Sequence, residues 1–156
     1  MIKFDIPGWG AMEIENIVLD MNGTIATDGR ILPEVKEKIN SLSEKIKFYT
    51  LTVDTFQTAD EEIQDINMEL VKVIGKDSRK GKLKFLKTLD IEKTVAMGNG
   101  NSDQLILKAA GLGIAILGDE GISISAMKNS DLAVKSISDA LDLFLKPKRL
   151  IATLRQ

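Results

Sequence analysis

The chain has 156 residues, 44% of them hydrophobic and 28% charged, with a net charge of -2. That is long enough for a domain with a real core, and it gives no electrostatic reason to expect nucleic acid or an anionic membrane as a partner. Cysteine and histidine are both absent, which excludes a disulfide framework, a Cys or His nucleophile, a Ser-His-Asp triad and a typical zinc site.

Chemistry on this chain must therefore use Asp, Glu, Lys, Ser, Thr, Tyr or a hard cation held by oxygens, Mg²⁺ or Ca²⁺. No apolar run is long enough to span a bilayer, and the first residues, "MIKFDIPGWG", lack a signal-peptide pattern, so a cytoplasmic protein without a membrane partner is expected.

In chain order, "MIKFDIPGWGAMEI" reads as an extra N-terminal strand turned back at Pro7-Gly8. The apolar runs "IENIVL" (14–19), "IKFYTL" (46–51), "LVKVI" (70–74), "TVAM" (94–97), "LGIAI" (112–116) and "LAVK" (132–135) then alternate with amphipathic stretches. "PEVKEKINSLS" begins at Pro33, a favourable first-turn residue, and "TADEEIQDIN" follows Thr58, an N-cap candidate with acidic residues in the first turn. "GKLKFLKTL", "NSDQLILKAA", "EGISISAMKN" and "SISDALDLFL" are the remaining helical segments, with Gly111 as the C-cap of the second of these. The tail "KPKRLIATLRQ" is compatible with a helix or a strand. Strand–helix alternation at this spacing predicts a single α/β domain over 1–156, a parallel sheet covered by helices, with no repeat or linker.

In an open parallel sheet, ligands bind beyond the carboxyl ends of the strands. Asp20, Thr52 and Gly98 each follow a strand run directly and are expected to share that edge. Asn22-Gly23 is a strong signal for a tight hairpin turn, yet "TIATDGRILPEV" leads into a helix rather than a matching strand, which favours a loop leaving the sheet. Thr52, with Asp54 close behind, reads either as a helix cap or as a hydroxyl for a phosphoryl oxygen. Most lysines of "KDSRKGKLKFLKTL" (76–89) belong to a solvated face. Lys82, backed by Phe85, Leu86 and Leu89, is the preferred one to reach the site, with Lys80 second. "VAMGNGNSDQLILKAAGLGIAI" (95–116) places a glycine-rich turn at a strand end and Asp103 at the start of the next helix.

These four segments, in this order, resemble the haloacid dehalogenase (HAD) superfamily of phosphohydrolases over nearly the whole chain. The resemblance is closest to the phosphorylation domain of P-type ATPases and to small soluble proteins of that type: "LTVD" (51–54) is similar to their "LTGD", "VAMGNGNSD" to "VAMVGDGIND", and "LGIAI…MKNSDLAV" to "VGIAM…KEAADIVL". It implies a three-layer Rossmann-like fold with a mainly parallel sheet. By the same resemblance Asp20 attacks phosphorus and forms an aspartyl-phosphate, while Asn22, Gly23, Thr52 and Lys82 bind the phosphoryl group. Mg²⁺ is expected on the Asp20 carboxylate, the Asn22 backbone carbonyl, and Asn99 and Asp103 of the fourth motif.

The chain departs from the family at two positions. Family phosphatases carry "DxDGT", whose second Asp moves protons; here that position is Asn22, as P-type ATPases also lack the acid in "DKTGT". Loss of a general acid/base costs about 10²–10⁴ in rate, so a slow enzyme is expected. Asn99 replaces the usual "GD" aspartate, which predicts weaker Mg²⁺ binding. The intervals Gly23–Leu51 and Thr52–Lys82 are too short for a cap or nucleotide-binding domain, so ATP recognition is not supported, and without an apolar run long enough to span a bilayer neither is ion transport. An uncapped site suits a bulky phosphorylated substrate or completion by a second subunit of a homo-oligomer. The competing reading is a degenerate phosphate- or protein-binding regulatory module, favoured by Asn22 and Asn99. A response-regulator receiver fits less well, because its acidic metal pair should follow the first core strand and its phosphorylated Asp a later one.

Overall fold

The computed structural model describes residues 1–53 and 58–156. It begins with an antiparallel hairpin of β1 (Ile2–Ile6) and β2 (Gly10–Ile14), turned by Gly8 and Gly10, both at positive φ. This hairpin is separate from the main sheet, where a single extra strand was expected. Its alternate residues Phe4, Ile6, Met12 and Ile14 are buried, and Phe4 meets Phe144 with ring centroids 6.1 Å apart. The hairpin thus serves as part of a packing layer, which its period-2 pattern permits but does not specify.

The main sheet contains β3 (Asn16–Asp20), β4 (Lys47–Thr52), β5 (Glu69–Lys72), β6 (Thr94–Gly98), β7 (Leu112–Ile116) and β8 (Leu132–Val134). Their order is β5-β4-β3-β6-β7-β8, with every pairing parallel. The central strands β6 and β7 are buried at every residue, as expected where helices cover both faces. Side chains alternate between two cores. Ile17 and Leu19 of β3, with Val95 and Met97 of β6, face a layer built from the hairpin, α1 (Pro33–Leu42), α6 (Ile137–Leu145) and α7 (Pro147–Leu154). Val18 and Ala96 face α3 (Ser78–Leu86), α4 (Gln104–Ala109) and α5 (Ile124–Lys128) through Leu86, Ile106, Leu107 and Ala126.

Local chemistry sets the helix starts. Pro33 occupies the first turn of α1, whose Val35, Ile39 and Leu42 form its buried stripe. Asp77 caps α3 by accepting the Arg79 N–H at 3.1 Å, and Ser123 and Ser136 cap α5 and α6. α2 (Thr58–Glu62) is a short helix starting at Thr58 itself. The tail resolves as helix α7 with Pro147 in its first turn, and its end is tied to the hairpin by the Gln156 N–H donating to the Pro7 carbonyl at 3.0 Å.

The loop after β3 leaves the sheet as the sequence favours, with a turn at Asn22-Gly23 closed by the Thr24 N–H donating to the Met21 carbonyl at 3.4 Å, and a second turn follows at Asp28-Gly29, with φ of 51° and 79° and reciprocal 3.0 Å bonds between Thr27 and Arg30. One glycine expectation changes. Gly111 is needed for close packing and not for a left-handed cap: a Cβ there would lie 2.2 Å from the Glu92 carbonyl oxygen.

Candidate active site

The chain runs from β3 outward through β4 to β5, then returns to β6 on the other side of β3. This reversal makes a switch point, with a crevice at the carboxyl ends of β3, β4 and β6. Asp20, Thr52 and Gly98 are the last residues of those three strands.

Lys82 enters the crevice from α3 and is only 2% exposed. Its ammonium donates to Asp20 Oδ1 at 2.5 Å, to Asp103 Oδ1 at 2.7 Å and to Ser102 Oγ at 3.1 Å, which occupies all three N–H groups. Lys80 is exposed. Gly81 between them lets α3 approach the chain after β5, since a Cβ there would lie 2.4 Å from Val73 Cγ1.

Asp103 is completely buried. Its second oxygen accepts the backbone N–H groups of Asn99 at 3.1 Å and Gly100 at 3.0 Å, so the glycine-rich turn wraps around this carboxylate. Gly98 makes room for it, because a Cβ at 98 would sit 2.4 Å from Asp103 Cγ.

The loop after Asp20 is held by its own backbone. Gly23, at φ 78°, donates its N–H to the Ala26 carbonyl at 2.8 Å, so that amide serves the turn. Asn22 is exposed. The Thr24 hydroxyl donates to Asn99 Oδ1 at 3.3 Å, and Asn99 Nδ2 donates to the Gly121 carbonyl at 3.1 Å. The Asn99 amide therefore ties the loop after β3 to the one after β7. Thr52 is buried, and its carbonyl accepts the Val73 N–H at 2.8 Å. Asp54 lies outside the described residues.

Electrostatically the cluster holds two carboxylates and one ammonium. Burial first, then the Asp103 charge, push the Asp20 carboxyl up to about 7, against the opposing pull of Lys82. Burial would lower Lys82, but the two carboxylates outweigh it and raise its pKa.

Among the described residues no three Asp or Glu side chains gather into a cation cage. The donors still suit a hydrated Mg²⁺, which keeps several waters and needs only one or two carboxylates beside a phosphate. Asp20, with its surplus negative charge, supplies the first of these. Asp103 accepts hydrogen bonds through both oxygens and Asn99 is bonded through both amide atoms, so a cation held by either would share or replace those bonds. Thr24 has no place in the sequence-derived site, and Gly98 enters it only as a strand end. Their roles follow from contacts with Asn99 and Asp103, which local pattern does not reveal.

No protein-family profile matches the chain. It is 51% identical over 78 residues to the uncharacterized protein MJ0073 of Methanocaldococcus jannaschii, covering 47% of this chain and 84% of that one. A second uncharacterized protein of the same organism, MJ0072, is 54% identical over 39 residues, covering 25% of this chain and 89% of the other. Among solved structures, 3-deoxy-D-manno-octulosonate 8-phosphate phosphatase from Moraxella catarrhalis, in complex with magnesium, phosphate and KDO, matches with a TM-score of 0.72. The identity is 14%, with 91% of this chain and 94% of that chain covered. The cobalt-bound deoxy-D-mannose-octulosonate 8-phosphate phosphatase (YrbI) from Haemophilus influenzae matches at 0.69, with 15% identity and coverage of 92% and 94%. A Legionella pneumophila protein described as a HAD superfamily subfamily III A hydrolase matches at 0.71, with 15% identity and coverage of 90% and 87%.

The chain belongs to the family of MJ0073 and has the HAD fold. The four sequence segments occupy the ends of β3, β4 and β6 and the first turns of α3, and those of Asp20, Lys82 and Asp103 meet at the Lys82 ammonium. No helix among the described residues is long and apolar enough to cross a membrane.

Proposed function

We propose that the chain is a Mg²⁺-dependent phosphohydrolase that works through an aspartyl-phosphate on Asp20. The observation that carries this reading is the Lys82 ammonium held between Asp20 and Asp103 at the switch point of the sheet. The fold shared with HAD phosphatases supports it.

In this reading the ionised Asp20 uses its carboxylate oxygen as the nucleophile. Lys82 holds that carboxylate in place and neutralises charge on the incoming phosphoryl oxygens. Thr52, at the end of the neighbouring strand, binds a phosphoryl oxygen in this reading. Asp103 is a positioning residue: it fixes Lys82 and, through the backbone amides of Asn99 and Gly100, the turn after β6. Bound Mg²⁺, on Asp20 and the Asn22 carbonyl, supplies charge neutralisation between carboxylate and phosphate. Asn22 offers no titratable group, so return of the phosphoenzyme to free Asp20 is slow.

Intact mass after incubation with acetyl phosphate and Mg²⁺ tests this reading. A phosphate adduct that decays slowly is expected on the wild type and is absent from Asp20→Asn. Turnover without an accumulating adduct would show that another group activates water efficiently and would refute the slow step assigned to Asn22. The bonded amide of Asn99 specifically favours a second reading, a phosphate-binding regulatory module. That module would bind phosphate but give neither adduct nor turnover.

A further inference from the structure

We propose that Asn99 is a positioning residue: its side-chain amide, and not a bound cation, holds the loop after β3 against the loop after β7. Asparagine at this position then answers to the groups it joins and is not simply a ligand carboxylate lost.

Each polar atom of Asn99 has a partner, and the partners lie on three segments. Its N–H donates to Asp103 Oδ2 at 3.1 Å, within the turn after β6. Its carbonyl accepts the Ser123 N–H at 2.7 Å and its Nδ2 donates to the Gly121 carbonyl at 3.1 Å, both beyond β7. Its Oδ1 accepts from the hydroxyl of the buried Thr24 at 3.3 Å, beyond β3. Gly23 packs directly on the amide: a Cβ there would lie 2.5 Å from Nδ2 and 3.0 Å from Oδ1. Gly118 closes on the same loop, since a Cβ there would lie 3.3 Å from the Gly23 carbonyl oxygen. The two loops thus approach at Gly23 and Gly118, with the amide as the polar link between them.

The Gly121 carbonyl decides which residue suits position 99. Gly121, at φ 82°, ends a turn closed by its N–H on the Gly118 carbonyl at 3.0 Å, so the backbone fixes the carbonyl that meets Asn99. A backbone carbonyl only accepts, and the atom facing it must donate. Asparagine Nδ2 does so, which turns Oδ1 toward the Thr24 hydroxyl. An aspartate would set a carboxylate oxygen against the Gly121 carbonyl, two acceptors with no proton between them, in a half-buried place.

The consequence is a loop ordered before any cation arrives. Thr24 follows Asn22 and Gly23 directly, and the Gly23 and Ala26 N–H groups are bonded within the same loop, to the Ala26 and Met21 carbonyls. Holding Thr24 therefore holds the backbone that leaves Asp20.

Hydrogen exchange on the full chain, with no phosphoryl donor present, tests the role whether or not Asp20 forms an adduct. Without divalent metal the wild type is expected to protect the Gly23, Gly121 and Ser123 amides, and saturating Mg²⁺ to change that protection by less than about tenfold. Asn99→Asp and Asn99→Ala are each expected to speed exchange at Gly23 and Gly121 by about tenfold or more, while amides of α6 and α7 keep their rates and show the fold intact. Thr24→Val is expected to speed exchange at Gly23 and leave Gly121 protected. Thr24→Ser, which keeps the hydroxyl but not the methyl, is expected to behave as wild type, a rescue that packing alone would not give. A larger gain of wild-type protection on adding Mg²⁺ would show that a cation orders these loops and would overturn the role given to Asn99. Wild-type exchange in Asn99→Asp would overturn the need for an amide, and Thr24→Val matching wild type while Thr24→Ser does not would overturn the link through the hydroxyl.

Discussion

Burial first, and then the negative charge of Asp103, push the Asp20 carboxyl up to about 7 against the pull of Lys82. Its folded-state pKa lies above the ordinary 3.8, so the native state binds a proton that the unfolded chain has released. The stabilisation from that proton is complete below about pH 4 and is lost as pH rises through about 7. Asp20→Asn removes the titration. In the absence of divalent metal, its stability relative to wild type is expected to grow by roughly 2–4 kcal/mol between pH 4 and pH 8, read by denaturant unfolding at both ends. A constant difference across that range would refute the assignment. Because the chain has no histidine or cysteine, few other groups obscure this window.

At the scale of elements, the site depends on one close approach. The turn after β6 fits around Asp103 only because residue 98 lacks a Cβ. Gly98→Ala is expected to cost about 1–3 kcal/mol by overpacking, and also to lower adduct formation strongly, because the carboxylate must leave the Asn99 and Gly100 amides. Denaturant melts and intact mass on the same sample check both effects; a destabilised variant with unchanged adduct yield would show that Asp103 is not needed to position Lys82. α3 contributes the matching half of the geometry, since its Asp77 cap and the close approach at Gly81 aim Lys82 inward and leave Lys80 in solvent.

For the whole molecule, the two cores divide the work. The helices that bear Lys82 and follow the glycine-rich turn pack on one face of the sheet, while the hairpin, α1, α6 and α7 close the other. Leu150 of α7 is fully buried in that second layer. Leu150→Ala is expected to cost about 2–5 kcal/mol in a chemical melt, with the adduct yield per folded molecule unchanged. A selective loss of adduct in fully folded Leu150→Ala would show that the far layer tunes the site.

The sequence by itself determined the order of strands and helices, because central parallel strands must be apolar on both faces and the runs in β3, β6 and β7 are. It also put Asp20, Thr52 and Gly98 at strand ends on one edge of the sheet, since each directly follows an apolar run, whereas the fold decided that β4 and β6 flank β3. It preferred Lys82 from the apolar residues behind it but had no means to show an ammonium bonded to a carboxylate 62 residues away. Only the tertiary structure decided that Asp103 is wrapped by backbone amides, that the Asn99 amide links two loops, that a second turn follows at Asp28-Gly29, and that the N-terminal hairpin stands apart from the sheet. The reason is physical: hydrophobic periodicity is local and survives in a string of letters, whereas a hydrogen bond or a missing Cβ takes its meaning from a partner that the folded chain brings alongside.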